Sequence, residues 1–192
     1  MNKKTRTLCE AAIMIALAQI LSYIRLYEFP NGGSIDIAML PILVFALRAG
    51  IGWGFGAGVV YGLLQYFLGN GIAIDWTSMI VDYLIAYAVL GLGAGIGYHF
   101  RRGGVIVSTV IGCVLRFLAH LIVGVYVWGK YMPDVFFGLP MSDEWIYSLL
   151  YNGSYMGIDF VLCLILMLLL ARFAPKYVHA GVLDKAEKST AN

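Results

Sequence analysis

Hydrophobic positions along this chain show neither the two-residue alternation of a half-buried strand nor the narrow stripe of a surface helix. They fill whole runs. Six such runs cover roughly 8–26, 36–47, 51–69, 76–98, 104–128 and 145–172. Most approach the ~20 residues that an α-helix needs to cross the hydrocarbon layer of a bilayer. The pattern predicts an all-α membrane protein of six transmembrane helices. The second run is the shortest and holds Pro41, which predicts a kinked, tilted or partly re-entrant segment.

Composition agrees. Of 192 residues, 61% are hydrophobic and 12% charged, with a mean hydropathy of +0.83. Those values exclude an ordinary soluble domain. The few charges between runs then set an orientation, because short cytoplasmic loops retain Lys and Arg. Lys3, Lys4 and Arg6 precede the first helix, Arg48 lies between the second and third, Arg101 and Arg102 between the fourth and fifth, and Arg172, Lys176, Lys185 and Lys188 follow the sixth. The alternate connections carry Glu28, Asp75, Asp134, Asp143 and Glu144, with Lys130 the main basic exception. Both termini are thus expected in the cytoplasm. The net charge of +2 is this membrane bias, so lipid and not nucleic acid is the expected surface partner.

The basic start and apolar run of the first helix resemble a signal peptide. Gln19, Tyr23 and Arg25 stand where small cleavage-site residues belong, so a retained helix is expected. The polar tail from about Lys176 to Asn192 reads as a loosely ordered end. No linker or repeat divides the chain, so residues 1–192 read as a single domain.

Cys9, Cys113 and Cys163 are odd in number and far apart, which fits packing better than a disulfide framework or a metal site. LGLGAGIG at 90–97 and GWGFGAG at 52–58 resemble nucleotide-binding loops only superficially. No strand precedes them, and glycine in membrane helices lets backbones approach closely.

Polar side chains within the runs carry the functional signal, because each is costly in hydrocarbon and so faces a partner, a ligand or a wet cavity. The fourth run places Asp82 well inside, followed by Tyr83; the sixth offers Tyr147, Tyr151, Asn152 and, deeper, Asp159. In the fifth, Arg116 and His120 are i and i+4, and Trp128 follows a little over two turns beyond. Each has a plainer reading. Trp128, Tyr126 and Tyr147 suit an interfacial belt, Arg116 suits a brace to Asp36 or Asp159, and His120 suits an interhelical hydrogen bond. Asp82 is the exception, since a membrane carboxylate needs a cationic side chain or a cationic ligand. Together these residues predict a pocket near the outer leaflet for a small, planar, cationic molecule held by stacking, cation–π contact and one anion.

At these residues the chain resembles the substrate-binding S component of energy-coupling factor (ECF) vitamin transporters, the thiamin-binding type. The resemblance runs through EAAIMIALA at 10–18, GGS-x-D-I-A-M-L-P-I at 32–42, VDYLIAYAVLGLGAG at 81–95, the His120-x7-Trp128 pair and Tyr147-x4-Asn152. It implies a non-enzymatic, multi-pass subunit of a prokaryotic plasma membrane that binds thiamin and docks on an energising module of a transmembrane coupling subunit and two ATPases. The chain's lack of a Walker-type motif suits that division of labour. By the same resemblance Asp82 faces the thiamin rings and His120 and Trp128 stack on them. Tyr83, Tyr147 and Asn152 make polar contacts to the pyrimidine or the hydroxyethyl group, and Tyr61 stands at a further aromatic position. Gly33 and Ser34 belong to the external loop, where some members carry a Trp; Tyr27 or Phe29 is then expected to supply the lid, and Ile72 replaces a Tyr. Ala12 and Ala16 match the docking face. No cofactor or metal is implied beyond the ligand. Two other readings stay open: an S component for hydroxymethylpyrimidine or riboflavin, and an intramembrane hydrolase built on His120, for which the spans offer no convincing nucleophile.

Overall fold

The computed structural model describes residues 2–69, 71–100 and 103–178. Among them, helices occupy six segments: α1 (Lys3–Leu21), α2 (Leu40–Ala49), α3 (Ile51–Leu68), α4 (Trp76–His99), α5 (Gly104–Tyr131) and α6 (Glu144–Phe173). Four of these, α3 to α6, are long and apolar enough on their own to cross a membrane. α1 extends further toward the N-terminus than its apolar run, taking in Lys3, Lys4 and Arg6. The tail beyond Val178, and Arg101 and Arg102 of the basic connection, lie outside the described residues.

α2 departs from expectation. Pro41 sits in its first turn, where its missing N–H has no helical partner to lose, so it starts the helix and does not kink it. At ten residues α2 is about 15 Å long. It is buried on every side: Ile42, Leu43, Phe45, Ala46 and Leu47 are at most 1% exposed. α1, α3, α4, α5 and α6 all pack around it. An all-round apolar sequence of this length belongs at the centre of a bundle. Gly50, at φ 90°, makes the one-residue joint to α3, a backbone angle that other residues adopt only under strain.

α3 and α4 pack closest. Gly54, Gly58 and Gly62, four residues apart on α3, lie against the α4 backbone at Gly91, Tyr87 and Tyr83. A Cβ at Gly91 would overlap the Gly54 carbonyl. The glycine-rich runs are therefore helix–helix contacts, and they fix α4, which carries Asp82. Gly91→Val should destabilise the folded protein by about 1–3 kcal/mol or more, read as an earlier thermal unfolding midpoint in detergent. An unchanged midpoint would mean the two helices can part.

Two short hairpins close the end of the bundle opposite the basic N-terminus. β1 (Tyr27–Glu28) pairs with β2 (Ser34–Ile35) between α1 and α2. β3 (Val135–Phe136) pairs with β4 (Leu139–Pro140) between α5 and α6 through a tight turn in which Phe137 and Gly138 both have positive φ. At the basic end, Arg48 pairs with Glu10 of α1 at 2.5 Å and donates to the Lys176 and Tyr177 carbonyls, tying α1, α2 and the chain after α6 together. Cys113 and Cys163 are buried packing residues, whereas Cys9 is exposed. Outward positions such as Phe67, Ile122, Tyr126 and Leu149 are apolar and exposed, as a lipid-facing surface requires.

Candidate functional site

Neither α4 nor α5 is regular throughout. Met79–Ile85 of α4 and Gly124–Trp128 of α5 are π-helical, a wider turn that recurs at functional sites. Asp82 lies in the first of these and Trp128 ends the second. In an unbroken α-helix Trp128 would stand roughly 80° round from His120, eight residues at 3.6 per turn. The wider turn advances less per residue and brings the indole back toward the imidazole's face.

The two rings meet on one carboxylate. His120 Nδ1 lies 2.9 Å from Asp82 Oδ1, and Trp128 Nε1 donates to Asp82 Oδ2 at 2.8 Å. A carboxylate accepts only, so His120 carries its proton on Nδ1. Asp82 and His120 side chains are each 12% exposed. Of the two partners expected for Asp82, a cationic side chain or a cationic ligand, no Lys or Arg is supplied; the carboxylate is held by two aromatic ring nitrogens.

Around this clasp lies a cavity of about 940 Å³, counted with its open mouth. Gly33, Ser34, Asp82, Tyr83, His120, Trp128, Tyr147 and Asn152, all singled out in the sequence, line it together. Tyr61 does not: it is fully buried, edge-on to Tyr87 at a centroid distance of 4.7 Å, and supports the wall from behind. The lid also differs. Phe29 packs on Tyr151 and Tyr155, and Tyr27 is exposed beyond it. The hairpin faces the cavity with Glu28, Ser34 and its turn residues Asn31, Gly32 and Gly33, the turn latched to α6 by Asn31 Nδ2 to Tyr147 Oη (3.0 Å) and by the Asn31 and Gly33 N–H groups to Tyr151 Oη (3.2 and 3.1 Å). A Cβ at Gly33 would run into the Tyr155 ring.

Several predicted polar contacts are committed within the protein. Tyr83 Oη accepts from Ile72 N at 2.7 Å and donates to Ile72 O at 3.1 Å, holding the connection before α4. Asn152 donates to the Ser148 carbonyl at 3.0 Å and accepts from Tyr155 Oη at 3.0 Å. Ser34 Oγ donates to Asp36, whose N–H donates to Asp159. At the rim, Arg25 bridges Glu28 (2.6 Å) and the Gly69 carbonyl (2.8 Å).

Arg116 is not the expected brace. It forms no ion pair with Asp36 or Asp159; its guanidinium lies 4.8 Å from the Tyr87 ring centroid, with long contacts to Tyr87 Oη and Met39 Sδ. Sequence reasoning missed Tyr155, Tyr87 and Gln65 as cavity residues. Tyr147, Tyr151 and Tyr155 recur every four residues, and that spacing was the available signal for Tyr155. Among the described residues no His, Cys, Asp or Glu cluster could hold a metal ion.

Comparison with known proteins bears on this geometry. Residues 8–179 match the family described as Thiamine transporter protein (Thia_YuaJ). The chain is 35% identical to the thiamine transporter ThiT of Bacillus subtilis, over 96% of this chain and 98% of that protein. It is 28% identical to ThiT of Lacticaseibacillus paracasei, over 91% of each. A solved structure of ThiT from Listeria monocytogenes superimposes with a TM-score of 0.77 at 25% identity, covering 93% of this chain and all of that one.

Proposed function

The chain belongs to the thiamine transporter protein family, a multi-pass cell-membrane family, and from that premise we propose that its cavity binds thiamin for uptake. The family is one of transport, which sets aside the hydrolase reading. One observation carries the ligand assignment: Asp82, with no Lys or Arg paired to it, is presented to the cavity by His120 and Trp128. An anion between two aromatic rings suits a permanently cationic thiazolium. Trp128, His120, Tyr147 and the hairpin glycine Gly33 contact the ligand, while Tyr83, Asn152 and Ser34 shape the wall and Tyr61 backs it. Neither hydroxymethylpyrimidine nor riboflavin carries the fixed positive charge that Asp82 is placed to meet. No cofactor takes part.

The chain works as one domain, an S component that docks on an ECF energising module of a transmembrane coupling subunit and two ATPases. All six helices contribute to the membrane layer. α1, at 19 residues, is about 28 Å long and exposes Ile13, Leu17 and Ile20 to lipid; α2 fills the centre behind a loop that enters from the cavity end. The basic end, with Lys3, Lys4, Arg6, Arg48 and Arg172, faces the cytoplasm, and the cavity opens outside.

Trp128 provides the assay. Thiamin should quench the intrinsic fluorescence of vitamin-stripped protein saturably at submicromolar concentration, and Trp128→Phe should remove most of that signal. Mass spectrometry of protein purified from cells should find thiamin co-purifying. Stripped protein that shows no calorimetric heat with thiamin, yet binds hydroxymethylpyrimidine or riboflavin, would overturn the assignment.

A further inference from the structure

π-Helical turns are rare, because the hydrogen-bond ladder of an α-helix must change step to admit one. The turn at Gly124–Trp128 finds its support on α6. Where the ladder changes step, the Gly124 N–H is shared between the His120 and Leu121 carbonyls. Both carbonyls are met from α6: Ser148 Oγ donates to Leu121 O at 2.9 Å, and Asn152 Nδ2 reaches His120 O at 3.4 Å. Asn152 also donates to Ser148 Oγ at 3.1 Å, which leaves the hydroxyl proton for Leu121.

Shape points to the same partner. Gly124 opens the turn and Gly129 follows it, five residues on. In an unbroken α-helix, positions five apart stand roughly 140° round the axis from each other. Here both are pressed against α6: a Cβ at Gly124 would run into Ser148 Oγ, and one at Gly129 into the Glu144 side chain. Ser148 and Glu144 are four residues apart, about one turn of an α-helix. Five residues of α5 are thus matched to four of α6, a fit that requires the wider turn.

We propose that Ser148 is a positioning residue: by clamping the Leu121 carbonyl it holds the π-helical turn that swings the Trp128 indole onto Asp82. It sets the geometry of the clasp without touching the ligand. Ser148 is fully buried, and its hydroxyl is spent on Leu121 and Asn152, so it acts only through what it holds. Removing the hydroxyl leaves a buried carbonyl short of a donor. The segment then relaxes toward the α-helical step, in which Trp128 stands roughly 80° round from His120. The consequence for binding rests on the thiamin reading; the position of Trp128 in ligand-free protein does not.

The first readout is fluorine NMR of the ligand-free full chain labelled with fluorotryptophan, which gives one resonance for each of the four Trp, Trp128 being assigned by Trp128→Phe. Ser148→Ala should move the Trp128 resonance and leave those of Trp53 and Trp76, on α3 and α4, in place. The second readout is a double-mutant cycle on thiamin affinity, measured by calorimetry. Ser148→Ala should weaken binding roughly tenfold in the wild-type background, yet by less than about twofold when Trp128 is already Phe, because no indole is left to misplace. Ser148→Cys, of similar size with a weaker donor, reads the same two quantities if the alanine variant does not fold, and should give a smaller change in each. A Trp128 resonance unmoved by Ser148→Ala would overturn the positioning role. So would losses for Ser148→Ala and Trp128→Phe that simply multiply, the mark of a general packing role. Movement of Trp53 and Trp76 as well would assign the hydroxyl to the bundle as a whole and overturn it too. If thiamin fails to bind wild-type protein, the ligand assignment falls, and the fluorine spectra still decide whether Ser148 holds Trp128.

Discussion

Asp82→Asn should weaken thiamin binding by roughly a hundredfold, with a much smaller loss for neutral hydroxymethylpyrimidine. Two effects add. Asparagine removes the negative charge that we propose meets the thiazolium, at a side chain only 12% exposed, where charge attraction is stronger than in water. It also replaces one carboxylate oxygen by an NH₂ group, so that either the His120 N–H or the Trp128 N–H meets a donor in place of an acceptor. Hydrogen bonds to charged groups contribute about 1.5–3 kcal/mol each, and ~1.4 kcal/mol is a factor of ten in affinity. The neutral fragment separates the two effects, because it feels the damaged clasp but not the missing charge. Equal losses for both ligands would mean that Asp82 serves only to hold the two rings. Arg116 does not brace Asp82, because its guanidinium lies against Tyr87 and Met39.

The chemistry of this site was legible in the sequence to the extent that it depends on rare residues in an apolar background. Asp82, His120, Trp128, Tyr147 and Asn152 stand out because hydrocarbon tolerates few polar groups, and the structure gathers all five round one cavity. Which atom meets which was not legible. The π-helical turns at Met79–Ile85 and Gly124–Trp128 change the phase of each helix without a sequence signature, so the clasp of two ring N–H groups on one carboxylate could not be read from α-helical spacing. Pro41 was ambiguous for a related reason: the same residue kinks a helix from inside and starts one from its first turn, and only the true boundary at Leu40 decides. Tyr61 and Tyr83 show a third limit. An aromatic next to a site can face the ligand, back the wall or hold a loop, and spacing does not distinguish these. Arg116 was misjudged because opposite charges in one bundle invite pairing, whereas Asp36 is satisfied locally by Ser34 and the Ala38 N–H, and Asp159 by the Asp36 N–H.

Replacing Ala12 or Ala16 by Trp should reduce thiamin uptake by cells to below about a tenth of wild type while leaving the affinity of the purified protein within about threefold. The two faces of α1 make this separation possible. Ala11, Ile15 and Ala18 are buried against the bundle, whereas Ala12 and Ala16, four residues apart, are exposed. An indole at either position therefore projects away from the packed side of α1 among the described residues, and the inward face that supports Gln19 and Ser22 near the cavity is untouched. Ser22, which lines the cavity, is ten residues from Ala12, about 15 Å along the helix axis. Against a coupling subunit the same indole is prohibitive. Membrane helices associate by close backbone approach, which small residues permit and a Trp blocks. Uptake measured with labelled thiamin, alongside calorimetry on the same variants, reads the two properties separately. If affinity falls with uptake, Ala12 and Ala16 pack within the bundle in the membrane and the docking face lies elsewhere; if uptake persists, the coupling subunit does not approach α1 at these positions.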